Sequence, residues 1–116
     1  MKVQLDFSVS ENSLPALLII RGFDGRLILY KKVYQRRNTV CFCTCTKNLI
    51  ITVRPMNADY YEQSYFIKFG RRPCYDLRLD FNFTAQARES LQTFYLFDEN
   101  YLFPIEEATL LFRRQL

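Results

Sequence analysis

In Cys74-Tyr75-Asp76-Leu77-Arg78-Leu79-Asp80-Phe81-Asn82-Phe83, apolar and polar residues alternate without a break. Tyr75, Leu77, Leu79, Phe81 and Phe83 occupy one phase of a two-residue repeat, and Cys74, Asp76, Arg78, Asp80 and Asn82 the other. Successive side chains of a β-strand point to opposite faces, so the pattern predicts a strand with one face in a core and one in solvent. Val3, Leu5, Phe7 and Val9 repeat it against Lys2, Gln4, Asp6 and Ser8.

The remaining segments read as strands with less regular patterning. Ala16 to Ile20 is a continuous apolar run, and Gly22-Phe23-Asp24-Gly25 supplies turn chemistry before Arg26 to Val33. Thr39 to Thr46 and Leu49 to Arg54 flank Lys47-Asn48, which reads as a tight hairpin. Gln63 to Phe69, Thr93 to Phe97 and Ala108 to Arg113 complete the set. Thr84 to Gln92 stays open between a short helical turn capped by Thr84 and an irregular crossing.

Short strands separated by turns every eight to twelve residues imply a sandwich or barrel. With no strand–helix–strand alternation, a parallel α/β sheet is not expected. We therefore expect an all-β, antiparallel two-sheet sandwich of the Greek-key kind, with seven to nine short strands and at most one helical turn. At 116 residues, 49% of them apolar, the chain reads as one domain with a real core, residues 1–116.

The closing residues carry a resemblance. Phe94-Tyr95-Leu96-Phe97-Asp98-Glu99-Asn100-Tyr101, followed by Pro104-Ile105-Glu106-Glu107-Ala108-Thr109-Leu110-Leu111-Phe112, resembles the strand–turn–strand signature of prealbumin-like domains (transthyretin-like, carboxypeptidase-regulatory-like). Here the motif closes the chain, whereas in that family it usually opens the domain. The resemblance covers the last quarter and implies a Greek-key sandwich whose usual work is structural or adhesive; it implies no ligand.

Composition excludes several chemistries. There is no histidine, so Ser-His-Asp, Cys-His and HExxH sites cannot be built. Gly22, Gly25 and Gly70 are the only glycines, too few for a phosphate-cradling loop. Asp76 and Asp80 lie four apart on one strand face, about 13 Å, with Arg78 between them, which exceeds both glycosidase spacings. No enzyme, cofactor or metal site is expected.

The opening Met1 to Asp6 lacks a signal-peptide pattern, and the longest apolar stretch, Leu14 to Ile20, is far too short for a membrane helix. The expectation is a cytoplasmic protein with reduced cysteines, although a secreted chain already freed of its signal would read the same way.

Three features are candidates for a site. Cys41, Cys43 and Cys45 share one face of a strand at roughly 6.5–7 Å intervals, too far apart for neighbours to bridge. Their row reads as small hydrophobes in the core, with Cys74 the more accessible thiol. Lys31, Lys32, Arg36 and Arg37 cluster near one turn and Arg71 and Arg72 at another; with a net charge of +4 they fit an acidic partner or simply solubilise loop tips. The loop from Asn57 to Tyr65 carries Tyr60, Tyr61 and Tyr65, a composition that grips proteins or caps the end of a sandwich.

Phe42, Ile50, Tyr30 and Phe66 fall on the nominally outer phase of their strands, an apolar surplus that an extra strand or a partner subunit would cover. The leading expectation is thus a non-catalytic module that binds protein, itself or another. Nucleic-acid or polyanion binding through the Lys/Arg turns is the second reading, and cysteine-based hydrolase or redox chemistry the third.

Overall fold

The computed structural model describes residues 1–83 in full and residues 91–98 and 103–114 as backbone strands. Among the described residues nine strands run in chain order: β1 (Lys2–Val9), β2 (Ala16–Gly22), β3 (Leu27–Val33), β4 (Arg37–Cys43), β5 (Asn48–Pro55), β6 (Tyr61–Lys68), β7 (Cys74–Phe81), β8 (Leu91–Asp98) and β9 (Phe103–Arg114). They form a three-stranded sheet, β4-β1-β7, and a six-stranded sheet, β3-β2-β5-β6-β9-β8. The all-β, two-sheet sandwich is therefore present.

The pairing differs from expectation in two respects. All ladders are antiparallel except β1 with β7, which is parallel, from Lys2 opposite Cys74 to Val9 opposite Phe81. The Lys47-Asn48 hairpin is absent: β4 pairs with β1, whereas β5 pairs with β2 and β6 in the other sheet. The link from Thr44 to Lys47 is a crossing between layers. Long-range pairing decides this, because β4 and β5 each bury an apolar row against the opposite sheet.

Alternation places the core as the sequence implies. Val3, Leu5, Phe7 and Val9 of β1 and Tyr75, Leu77, Leu79 and Phe81 of β7 are buried, facing Ala16, Leu18, Ile20, Leu49, Ile51, Val53 and Ile67 from the larger sheet. Each such side chain contributes roughly 1.5–3 kcal/mol on burial. Edge-on ring pairs run through this interior: Phe7 with Phe81 at 6.3 Å and Tyr65 with Phe81 at 5.3 Å.

The β2–β3 hairpin turns as its residues dictate. The Gly25 N–H donates to the Gly22 carbonyl at 2.9 Å, and the Arg26 N–H to the Asp24 carboxylate at 3.0 Å. Gly25 has φ of 90°, a left-handed value that favours glycine. A 3-10 turn, Glu11–Ser13, joins β1 to β2; these residues carry no helical pattern. Of the stretch from Thr84 to Gln92, left open between a helical turn and an irregular crossing, residues 84–90 lie outside the described ones, and Leu91 and Gln92 open β8.

Candidate functional site

The outer face of the smaller sheet is a polar grid set by register. β1 contributes Lys2, Gln4, Asp6 and Ser8; β4 places Cys43, Cys41, Thr39 and Arg37 opposite them, and β7 places Cys74, Asp76, Arg78 and Asp80. Two hydroxyls tie the rows: Thr39 Oγ1 donates to Asp6 Oδ1 and Ser8 Oγ to Asp80 Oδ1, both at 2.6 Å. Around the second half of the grid lies a shallow cavity of about 620 Å³ lined in part by Arg36, Arg37, Arg78, Asp6 and Asp80. Arg78 joins Arg36 and Arg37 there only through the β1–β7 register, which no local spacing reveals.

The cysteine row is where the sequence reading fails. Cys41, Cys43 and Cys45 are exposed and reduced, whereas Val40, Phe42 and Thr44 are buried. Phe42 is therefore a core residue opposite Val3, not an outward aromatic. The cause is area. Turning Val40 and Phe42 inward removes far more apolar surface from water than turning three thiols. Cys74, half-buried, stands across Lys2 from Cys43, about 10 Å away over two strand spacings. Among the described residues no group of three or more Cys, Asp or Glu is arranged to hold a metal ion.

The basic residues do not form one patch. Lys31 and Lys32 lie on β3, at the edge of the larger sheet, rather than in a turn. Arg36 and Arg37 sit at one end of β1, where the Val9 N–H donates to the Arg36 carbonyl at 2.8 Å. Arg71 and Arg72 precede β7 at the other end, where the Lys2 N–H donates to Pro73. The six residue steps from Lys2 to Ser8 hold the two groups about 20 Å apart.

The three tyrosines also separate. Tyr65 is buried, its ring against Phe81, and its hydroxyl donates to the Asp80 carbonyl at 3.0 Å. Burial, reinforced by the Asp80 charge, pushes its pKa up to about 12. Tyr60 caps the sandwich end: its ring meets Phe83 edge-on at 6.4 Å, and its hydroxyl accepts from Asn12 Nδ2 at 3.3 Å. Tyr61 opens β6 and is half-buried.

The outer face of the larger sheet is apolar at its centre. Ile19 of β2 lies opposite Tyr30 of β3 and Thr52 of β5, and Ile50 lies opposite Phe66 of β6. Ile19 is covered by its neighbours, and Thr52 shares a 2.7 Å hydrogen bond with Ser64. Phe23 folds from the β2–β3 turn onto Phe66, with ring centroids 5.2 Å apart. At the margin, Phe23 is 65% exposed, and Leu27 and Tyr30 are each 54% exposed. Arg21 and Lys32 share the phase of this face, as do Arg54 and Glu62, which form a 3.0 Å salt bridge at its end. The sequence placed Tyr30, Ile50 and Phe66 here correctly; it missed Phe23, a turn residue without a phase, and Leu27, which the register shift between Ile20 and Arg21 brings opposite Arg21.

Compared with known protein families, curated proteins and solved structures, the chain matches none.

Proposed function

We propose that this chain is a non-catalytic β-sandwich module that docks another protein on the outer face of its six-stranded sheet. One observation carries the reading: Phe23, Leu27 and Tyr30 stand exposed beside the half-buried Leu17, Ile50 and Phe66 on one continuous face. Exposed apolar surface of this kind, rimmed by charge, marks interaction sites. The rim selects the occupant. Arg21 and Lys32 are cations and Glu62 is already paired with Arg54, so a partner with an apolar centre and acidic border fits better than a second copy carrying the same cations.

The prealbumin-like resemblance of the closing residues is consistent with structural or adhesive work. It is supported by the antiparallel β8–β9 pair, in which Pro104 lies opposite Phe97. Polyanion binding has less support, since β1 holds the two arginine groups apart at opposite ends.

A photo-crosslinking residue at Tyr30, in the cells that make the protein, tests the reading. Crosslinking to one acidic protein is expected, lost in Leu27→Ser, with none from the same group at Gln4. Equal capture at both positions, or crosslinks only between copies, would refute it.

A further inference from the structure

β4 is an edge strand, and two hydrogen bonds show which of its main-chain groups are spent. The Thr44 N–H donates to Met1 O at 3.0 Å and the Val9 N–H to Arg36 O at 2.8 Å. In the register between them, residue numbers on β4 and β1 sum to a constant, from Lys2 opposite Cys43 to Ser8 opposite Arg37. Antiparallel pairs alternate between those that exchange hydrogen bonds and those that do not. Asn38, Val40 and Phe42 thus turn their N–H and C=O groups towards β1. Arg37, Thr39, Cys41 and Cys43 turn theirs away, to a side where no strand lies among the described residues.

All four of those residues are exposed, and the strand is neither bulged nor interrupted by proline. Such an edge is a template for pairing with another chain unless something blunts it. Its charge is one-sided. From Tyr34 to Lys47 there are three cations, Arg36, Arg37 and Lys47, and no Asp or Glu. Among the described residues neither Arg36 nor Arg37 forms an ion pair, and both open on the cavity at the start of the strand. Pairing with a second copy would add three more cations; an acidic strand would neutralise them.

We propose that β4 accepts an extended acidic segment of another protein as an added strand, with Arg36 and Arg37 receiving its carboxylates. The open groups of Arg37 to Cys43 accommodate about seven residues, an ordinary strand length. Main-chain bonds give such a complex its affinity and the arginines its preference, the usual division of labour in strand addition. This surface is separate from the Phe23–Tyr30 face, and neither depends on the other.

The probe is a blocked peptide of alternating Glu and Val, about seven residues long, with a Lys-for-Glu version as control. On the folded chain, the acidic peptide should slow amide exchange at Thr39, Cys41 and Cys43 by about tenfold or more while leaving Val40 and Phe42 unchanged. Arg36→Gln with Arg37→Gln should weaken binding about tenfold or more at low salt. Cys41→Pro removes an outward N–H without touching the β1 ladder, so it should abolish the protection. Should that variant fail to fold, the exchange pattern on the unmodified chain still decides. Binding with no slowed exchange would reduce the site to simple anion capture and overturn the proposal. Equal protection by the Lys peptide, or protection that rises with protein concentration alone, would overturn it too. The Tyr30 crosslinking result is indifferent to Cys41→Pro, so the two readings fail separately.

Discussion

The Tyr65 hydroxyl donates a 3.0 Å hydrogen bond to the main-chain carbonyl of Asp80, joining β6 of one sheet to β7 of the other through the core. Gln63, two residues earlier on the same face, makes a second such link, its Nε2 donating to the Asn82 carbonyl at 2.6 Å. Both donors are buried, and a buried polar group that lost its partner would cost about 1–3 kcal/mol. The two bonds therefore fix how the sheets register at this end, something apolar packing alone specifies less sharply.

The Tyr65 bond makes stability sensitive to alkaline pH. Burial, and then the Asp80 charge, pushes the folded pKa up to about 12 from the 10.0 of a solvated phenol. The neutral phenol is thus the form that the fold prefers. Its contribution is fully present below pH 10 and is lost as the pH rises from there through about 12, because the unfolded chain releases the proton first. Tyr65→Phe should lower the urea midpoint at neutral pH by the equivalent of about 1 kcal/mol and should show a shallower alkaline decline. Identical alkaline slopes in the two proteins would contradict the assignment.

How much of this was legible in the sequence depends on whether the two strand faces differ in kind. β1 and β7 set Val, Leu and Phe against Lys, Asp and Arg, and their inner rows came out as read. β4 sets Val40, Phe42 and Thr44 against Cys41, Cys43 and Cys45, and a thiol is apolar enough to pass for either side. Only the partner strand resolves the phase, since Val40 and Phe42 must meet Leu5 and Val3. Likewise Arg78 joins Arg36 and Arg37, while Arg71 and Arg72 do not, because of a parallel register between segments about seventy residues apart. That pairing has no local signature.

The thiols report the corrected phase directly. Cys41, Cys43 and Cys45 are exposed on or just beyond an edge strand, so all three should react with a small alkylating reagent in the native protein. Cys74, half-buried, should react more slowly. Peptide mapping after brief labelling gives the order. Protection of all three until denaturation would return the row to the core and invalidate the β4 assignment.

Side-chain truncation tests the same assignment through energy. Phe42 and Leu79 occupy the inner rows of β4 and β7, the two edge strands of the smaller sheet, at 9% and 3% exposure. Each faces the opposite sheet across the core, so neither site can collapse without moving a strand. Leu79→Ala should cost about 2–5 kcal/mol and Phe42→Ala about 3–5 kcal/mol, a large share of what a domain of this size possesses. Their neighbours point outward. Cys41→Ser should fall within about 0.5 kcal/mol of the parent. Arg78→Ala, which loses contacts on the exposed grid, should cost about 1 kcal/mol or less. Urea midpoints of the four variants, measured with unchanged denaturant slopes, give the comparison. If Cys41→Ser cost as much as Phe42→Ala, both faces of β4 would be buried, and the exposed outer phase of Cys41 would be wrong.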